Sequence, residues 1–527
     1  MKFLRLLALT AGLVGLVSTA QAQFGYYNDA LLFSQTSFNG TARIQAIGGA
    51  QVALGGDASM ANSNPAGLGF FNRSAFTFTP ALDFHSSDSE YFGQTTSSFQ
   101  NNFNIRQLGV VINYGKGDIV PSKFKGGSLA LSINRVNNFN NEINFDNFNN
   151  NNSIVDSFIE RSGNAFPDDL GGFQGVAYDH FLIEEADFNS DVDFFLDDAG
   201  GRTYISPNFG DGTIEGYASL FGGFAGSLPR QNEVLRTSGG QYQFNIAYGG
   251  NYDDRFYFGG GVGIQSVNYT QKRTYLESEY AFDDGTPDDI LNSIRIVDRL
   301  DIEGAGINAT AGIIARPVEF VTVGLTYTSP TYYALNEEND FIFSTDWNSN
   351  YSYIAGEDTV DLGFISTTSD LQISDYNLKT PSRLNLGTAF FLGRVGFISA
   401  DFEFVDYANA QLKSDDFVVT EDNDVIRDIY QSVVNYRVGA EFRLDEIRLR
   451  GGYAHQSDPF VDDEQDGARR SITFGLGYRT QDYFVDLAVI NSQYNVLYNP
   501  YTLMENSPTV DIENTTTTVA LTVGINF

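Results

Sequence analysis

Histidine and cysteine, which commonly serve as catalytic bases, nucleophiles and metal ligands, are scarce in this chain of 527 residues. It contains three histidines, His85, His180 and His455, and no cysteine. None of the histidines stands at a spacing from a serine or carboxylate that is typical of a Ser-His-Asp triad, and without cysteine neither disulfides nor thiolate metal sites can form. We therefore expect the histidines to be solvated loop residues, and we predict no enzyme activity, no metal ligand and no cofactor.

Two further motifs imitate known sites without completing them. Asp462, Glu464 and Asp466 match the first half of a calcium-binding loop, but its twelfth position would be Thr473 rather than glutamate. The glycine run GGGVG (259–263) follows no strand–helix–strand pattern, which a phosphate-binding loop needs. We interpret the first motif as an acidic loop tip and the second as part of a strand.

The chain is strongly acidic, with 31 Lys and Arg against 66 Asp and Glu and a formal net charge of −35. Such a charge repels nucleic acid, so nucleic acid is excluded as a partner. Residues 140–236 alone hold 17 acidic and 4 basic residues, and a structureless loop of this length is uncommon. Apolar residues at helical spacing predict a short helix within it, namely Leu170, Phe173, Ala177 and Phe181.

The N-terminus has the three parts of a secretory signal peptide. Lys2 and Arg5 form a basic region, an apolar core follows, and Ala20-Gln21-Ala22 is an A-x-A cleavage site. The apolar core is too short to span a bilayer of about 30 Å. We therefore predict that residues 1–22 are removed and that the mature chain begins at Gln23.

The C-terminus alternates apolar and polar residues with a period of two. Its apolar positions end on an aromatic residue at the last position of the chain; they are Val519, Leu521, Val523, Ile525 and Phe527. Lipid-facing strands of outer-membrane barrels alternate in this way and carry aromatic residues at the membrane interface. We expect this strand to be the closing strand of a barrel and its Phe527 end to be recognised by the barrel assembly machinery.

The same alternation recurs along the chain and predicts fourteen strands. They lie near 73–84, 104–115, 126–139, 238–251, 255–270, 301–315, 319–329, 376–392, 395–407, 432–444, 446–456, 470–480, 482–492 and 515–527. Long connections, such as 85–103, 140–237, 271–300 and 330–375, alternate with short ones. Outer-membrane barrels have long extracellular loops and short periplasmic turns. The pattern thus predicts an all-β fold, a fourteen-stranded antiparallel transmembrane β-barrel over 73–527 with long acidic extracellular loops; a large secreted β-sandwich is the alternative.

The segment 23–72 precedes the first strand and has no strand pattern. It combines short helical stretches, glycine pairs and one sharp turn, Asn64-Pro65-Ala66-Gly67, with many apolar residues. Apolar surface of this extent is normally covered, and the barrel lumen is the available cavity. We therefore expect an N-terminal hatch that fills the lumen.

This segment also resembles a known family. The residues that carry the resemblance are GTARIQAIGGAQVALGGDASMANSNPAGL (40–68), which look like the hatch of the FadL/TodX family of outer-membrane transporters for hydrophobic compounds. Within them, Asn64-Pro65-Ala66 matches the hatch motif of that family. Similar stretches cover much of the C-terminal half (316–330, 380–412, 435–460 and 470–489), whereas the middle third, 140–300, does not align.

The resemblance implies a fourteen-stranded barrel with an N-terminal hatch. It also implies that a ligand binds first among the extracellular loops and then near the hatch, and that it leaves sideways through an opening in the barrel wall. The aromatic residues expected to contact an apolar ligand are Phe24, Tyr26, Tyr27, Phe33, Phe173, Phe181, Phe221 and Phe224.

The predicted function is therefore passive transport of long-chain fatty acids or other hydrophobic small molecules across the outer membrane of a Gram-negative bacterium. The expected partners are the ligand, outer-membrane lipid and the assembly machinery, and the protein is expected to be a monomer. Two alternatives stay open at this point. One is a structural or adhesive barrel that displays acidic surface loops, and the other is a haem-type receptor.

Overall fold

The fold is taken from a computed structural model. It describes residues 25–37, 39–115, 122–186, 195–196, 202–205, 216–219, 229–280, 291–348, 352–355, 358–462 and 466–527. The predicted signal peptide and Gln23 lie outside the described residues, as does Glu464 of the acidic loop tip. No helix within the described residues combines the length and apolarity needed to cross a bilayer.

Within the described residues, fourteen strands form a closed antiparallel barrel, which confirms the predicted fold class. The strands are β1 (Ala75–Tyr91), β2 (Gln94–Gly115), β3 (Phe124–Asn138), β4 (Arg230–Tyr252), β5 (Phe256–Ser278), β6 (Leu291–Val318), β7 (Val321–Thr328, continuing as Tyr332–Trp347), β8 (Gln372–Lys379, continuing as Arg383–Phe391), β9 (Gly396–Asp406), β10 (Ser432–Leu444), β11 (Ile447–Gln456), β12 (Arg469–Arg479), β13 (Tyr483–Tyr498) and β14 (Val510–Asn526). The sheet closes where β1 pairs with β14, from Ala75 opposite Asn526 to Glu90 opposite Asp511. Closure removes the free edges that an open sheet would expose.

Along the strands, the apolar side chains change from the outer face of the barrel to its inner face. In the lower part of β14, Leu521 and Val523 are exposed on the outside, while Thr522 is buried inside. Near its extracellular end Val510 and Ile512 are buried inside instead, and the intervening acidic residues face outward. The lower zone is therefore the lipid-facing band of a membrane barrel, and the upper zone is built like a soluble β-sheet around its own core.

This reversal corrects several predicted loop boundaries. The expected loop 85–103 is a hairpin, because β1 and β2 continue to a two-residue turn at Phe92 and Gly93. The expected loop 271–300 is largely strand in the same way, since β5 and β6 remain paired from Ser278 to Phe256. Alternation with an apolar outer face ends at the membrane boundary, but the backbone hydrogen bonds continue beyond it.

The end of the barrel away from Phe527, which is predicted to be extracellular, is covered by the chain between β3 and β4. It contains the strand Asn141–Phe148, helix α4 (Ile154–Ser162), the 3-10 turn Pro167–Asp169, helix α5 (Gly172–Asp179), and the strands Ile183–Ala186, Phe195–Leu196, Arg202–Ile205 and Gly216–Ser219. Helix α5 confirms the helix predicted in this region. The strands Ser352–Ala355, Asp358–Asp361 and Phe364–Thr368 lie between the two long parts of β7 and β8, and the 3-10 turn Tyr407–Asn409, the strand Gln411–Lys413 and a helix (Thr420–Ile429) lie between β9 and β10.

Where the structure describes the chain before β1, at residues 25–37 and 39–74, it has no strands, as predicted. It forms three short helices, α1 (Tyr27–Leu32), α2 (Ala42–Gln45) and α3 (Met60–Ser63), and the 3-10 helix Pro65–Phe70. The 3-10 helix contacts β3 to β6, whereas helix Ala42–Gln45 contacts β12 to β14 on another part of the wall. This N-terminal segment therefore lies across the inside of the barrel.

Candidate functional site

The turn at Asn64 is fixed by its own side chain. Asn64 has extended backbone (φ −144°, ψ 97°), as expected for a residue that precedes proline. Its buried amide Nδ2 donates to the Val52 carbonyl at 2.7 Å, and its Oδ1 accepts from the Ala66 amide at 3.1 Å. The side chain thus holds the start of the 3-10 helix against an earlier part of the same segment.

The barrel wall is shaped to receive this turn through glycines. A Cβ at Gly249, Gly259 or Gly312, on three neighbouring strands, would come closer than 3.0 Å to Asn64 or Pro65. Five further strand glycines are similarly close to residues 46–53 of the segment; they are Gly324, Gly387, Gly439, Gly452 and Gly475. The N-terminal segment therefore packs directly against the backbone of eight strands, which leaves no room for side chains at these positions.

Ionic groups anchor the same segment to the wall. The Arg43 guanidinium lies 3.6 Å from Asp57 within the segment and 3.5 Å from Glu441 on β10. Glu441 also accepts from Arg450 Nε at 2.8 Å. Asp401 on β9 accepts from the backbone amide of Gln51 at 2.6 Å. Pairing and hydrogen bonding offset the desolvation of these buried charges, so the lumen at this level holds a dense polar network.

Above this level an aromatic chamber contains the first helix, α1 (Tyr27–Leu32). Tyr26 stacks on Phe417 with ring centroids 4.4 Å apart, and Phe33 meets Phe139 edge-on at 5.8 Å. The buried residues that surround α1 are Phe139, Val267, Tyr269, Tyr333, Tyr376, Tyr407, Leu412 and Tyr430. The chamber is concave and largely apolar, as small-molecule sites are, and its occupant is a segment of the protein itself.

One buried carboxylate lies inside the chamber. Asp29 of α1 is 8% exposed, and its Oδ2 accepts from the Tyr376 hydroxyl at 2.6 Å. Burial raises the pKa of Asp29 to about 7, with Asp422 contributing in the same direction. Because desolvation favours the neutral acid, the docked position of α1 favours a protonated Asp29.

The five predicted ligand-contacting residues that the structure describes lie in two separate groups. Tyr26, Tyr27 and Phe33 lie in or beside the α1 chamber. Phe173 and Phe181 pack instead in the core of the extracellular cover, where the ring centroids of Phe173 and Phe341 are 4.6 Å apart. Phe24, Phe221 and Phe224 lie outside the described residues.

The prediction that the histidines are solvated loop residues is wrong for all three, since each is at least half-buried. His180 is fully buried, with its ring nitrogens 3.1 Å from Thr345 Oγ1 and 2.8 Å from Thr367 Oγ1. Burial lowers the pKa of His180 to about 4, so it is neutral and structural. His85 lies within β1 and is hydrogen-bonded to Thr516 at 2.9 Å. His455 lies at the end of β11.

The barrel wall has a break in strand pairing beside the chamber, between residues 94–106 of β2 and the chain that follows Arg135. We call this break the seam. Strands β2 and β3 pair only from Gly115 opposite Gly126 to Gln107 opposite Asn134, although β2 continues upward as the partner of β1. The register of β3 shifts between Arg135 and Asn137. Above this shift the chain continues as Asn141–Phe148 and pairs with β4. Within the described residues, the upper half of β2 thus has a strand partner on one side only.

The segment that follows α1 covers this seam. Asn137 Nδ2 donates to the carbonyls of Leu32 at 3.3 Å and Gln35 at 3.1 Å. The Ser37 amide and hydroxyl both contact the Val136 carbonyl, at 3.1 and 3.2 Å. Residues 32–37 therefore connect helix α1, inside the chamber, to β3 at the seam. The periodicity of β3 gave no sign of the seam, which depends on a register shift.

A closed barrel of fourteen strands with an N-terminal segment across its lumen defines the class of this structure, and solved structures share it. A FadL homologue of Pseudomonas aeruginosa aligns over 94% of this chain and 99% of its own, with a TM-score of 0.54 and 12% identity. The toluene transporter TodX of Pseudomonas putida aligns over 93% and 99%, with a TM-score of 0.50 and 11% identity. No protein-family model matches the sequence, and no curated protein does. The chain has the fold of the FadL and TodX barrels, which confirms the fold implied by the resemblance.

Proposed function

We propose that this protein is a passive outer-membrane channel for hydrophobic small molecules, with long-chain fatty acids and monoaromatic compounds as the first candidates. The observation that carries the proposal is the aromatic chamber around α1, which is connected to the seam through residues 32–37. An apolar ligand that enters the chamber competes with α1 for the same surfaces. Displacement of α1 then draws residues 32–37 away from β3.

The N-terminal segment serves as the hatch in this proposal. Glycine contacts on eight strands and the Arg43–Glu441 ion pair hold its lower part, so water-filled passage straight through the lumen is closed. The ligand instead leaves through the seam towards the membrane. The signal peptide directs export and is cleaved near Ala22, and the mature chain inserts with the help of Phe527 and works as a monomer. Phe527 is 68% exposed at the end of β14, where its amide and carbonyl pair with Ser74.

A reversible cross-link tests the coupling of α1 to the seam. The chain has no cysteine, so Ser37→Cys with Asn137→Cys introduces a single thiol pair beside the hydrogen bond from the Ser37 amide to the Val136 carbonyl. In cells that have no other uptake route for these compounds, the oxidised double variant is expected to lose uptake of a fluorescent long-chain fatty acid and of toluene. Reduction should restore it. The single variant Ser37→Cys is the control and should be insensitive to oxidation.

Unchanged uptake by the fully oxidised double variant would contradict an exit through the seam. Uptake that is equal in cells with and without the protein, for every hydrophobic compound tried, would contradict transport altogether. That second result would favour the adhesive barrel.

A further inference from the structure

A groove on the outside of the barrel lies on the opposite side of the chamber wall, with which it shares Tyr333. It has a volume of about 520 Å³ and crosses β6, the upper part of β7, the first part of β8 and the strand Gln411–Lys413. Its lining includes Ala305, Ile307, Tyr332, Ala334, Lys379 and Lys413. Pro330 lies between the two parts of β7, and Pro381 lies between the two parts of β8. These prolines interrupt regular pairing on the two neighbouring strands just below the groove.

The groove combines a shallow floor with two cationic side chains. Ala305 lies opposite Ala334 in the strand register, so small side chains form the floor. Tyr332 lies opposite Lys379, and Lys413 lies opposite Asn377 on the next strand. Neither lysine forms an ion pair within 4.0 Å with any of the residues that the structure describes. The chain has a net charge of −35, and the groove differs from its acidic surroundings by these two neighbouring ammonium groups.

The groove lies at the extracellular border of the lipid-facing band. Below it on β8, Leu384 and Leu386 are exposed towards the membrane. Above it, Glu303 and Asp375 face outward, and Asp375 accepts from Asn336 at 2.9 Å. Tyr332 follows the periplasmic end of β7 by about ten residues, the length of a membrane-crossing strand. The lysines therefore stand at the level of the lipid headgroups in the outer leaflet, where an aromatic side chain such as Tyr332 is also favoured.

We propose that this groove binds the phosphate-bearing headgroup of an outer-leaflet lipid. The ammonium groups of Lys379 and Lys413 contact the phosphate, since basic clusters at the membrane surface recognise anionic headgroups. Tyr332 and Ile307, both more than half exposed, contact the upper part of the acyl chains. The small floor formed by Ala305 and Ala334 allows the headgroup to approach the sheet. The bound lipid covers the part of the wall where the prolines interrupt β7 and β8.

Native mass spectrometry of the whole barrel tests this site. The protein is exchanged into neutral detergent and titrated with monophosphoryl lipid A, with its dephosphorylated form or with inorganic phosphate. The test variant is Lys379→Gln with Lys413→Gln. The matched control is Lys272→Gln, which removes an exposed lysine of β5 that lies between Arg236 and Arg299 in the strand register and outside the groove. Retained heat-modifiability of each variant shows that the barrel is folded.

The wild type and Lys272→Gln are expected to bind one phosphorylated lipid with equal affinity, and the double variant about thirtyfold more weakly, as for removal of two basic groups at an anionic surface. The dephosphorylated lipid should bind to all three equally weakly, and inorganic phosphate should not compete. Equal affinity of the wild type and the double variant would overturn the proposal, as would an equal loss in Lys272→Gln. Competition by inorganic phosphate alone would assign the groove to a free anion instead.

Discussion

At the scale of single residues, the inner wall depends mainly on glycines, which have no side chain. The strand glycines have no Cβ where the N-terminal segment approaches the sheet. Gly259 and Gly260 illustrate this, since they are neighbours on β5 and point to opposite faces. A Cβ at Gly259 would overlap Pro65, whereas a Cβ at Gly260 would lie 3.7 Å from its nearest neighbour, the Thr310 carbonyl oxygen.

We therefore predict that Gly259→Ala loosens the N-terminal segment and that Gly260→Ala does not. Forcing a methyl group into a filled space typically costs about 1–3 kcal/mol, and here the segment is free to move while the barrel is not. The expected result is increased leakage of small hydrophilic solutes through Gly259→Ala, measured as conductance in planar bilayers. Equal conductance of the two variants would contradict the close contact with Pro65.

A second residue-scale prediction concerns Asp29 and pH. Docked α1 has an Asp29 pKa of about 7, and released α1 has the ordinary value near 4. The docked state therefore binds more protons between these values. Docking should be strongest at low pH, weaken as pH rises towards 7 and remain at that weaker level above it.

Hydrogen exchange of the amides of residues 27–34 measures this docking directly. Exchange should be faster at about pH 8 than at about pH 5, after correction for the intrinsic rate. Asp29→Asn keeps a partner for the Tyr376 hydroxyl but cannot ionise, so most of the dependence should vanish in this variant. An Asp29→Asn variant that retained the dependence of the wild type would assign it to another group, such as Glu337 or Asp422.

At the scale of elements, the segment inside the barrel and the barrel itself are stabilised independently. The barrel is closed by strand-to-strand hydrogen bonds from β1 to β14. The N-terminal segment is instead held by the Asn64 turn, by glycine contacts and by ion pairs to inward side chains. A change within the turn should thus alter the contents of the lumen and leave the sheet intact.

We predict that Asn64→Ala with Pro65→Ala leaves assembly unchanged and alters uptake of hydrophobic compounds. The variant loses the two hydrogen bonds made by the Asn64 side chain, each worth about 1 kcal/mol, and the restriction that proline imposes. Assembly is measured by the yield of heat-modifiable barrel in membranes, and uptake with the fatty acid and toluene assays above. Loss of the folded barrel would contradict the independence of the two elements, and wild-type uptake would contradict a role for the turn.

At the scale of the whole molecule, the barrel consists of two stacked zones with opposite polarity. The lower zone has apolar side chains outside and polar side chains inside. The upper zone has a buried core that joins β1, β5, β6, β7 and β14 with helices α4 and α5. The acidic extracellular cover is therefore a packed continuation of the barrel and not a set of separate loops.

The closed sheet leads to a prediction for the intact protein. The barrel should keep its compact form in SDS at room temperature and unfold only on heating, because opening it requires strand pairs to break together. Gel migration with and without boiling measures this. Truncation before β14 leaves β1 paired only with β2 and β13 paired only with β12, so the barrel cannot close, and this variant should unfold in SDS without heating. A mainly helical circular dichroism spectrum would contradict the architecture.

Local sequence pattern alone determined the number of strands and their membrane-crossing parts. Val519, Leu521 and Val523 alternate with small or polar residues because lipid selects one face of each strand. The absence of such alternation before β1, together with the turn ahead of Pro65, indicated an internal segment for equally local reasons. These features depend on neighbours one or two positions away along the chain, so periodicity reveals them.

Only the tertiary structure decided which face of each strand is buried beyond the membrane boundary. Val510 and Ile512 continue the strand of Val519 but point their apolar side inward, because the upper zone meets water outside and has its own core inside. The burial of His180 between Thr345 and Thr367, the enclosure of α1 by residues of six or more distant elements, and the seam left by the β3 register shift all depend on contacts far apart in sequence. No periodicity records such contacts, since they arise only when the sheet closes around the N-terminal segment.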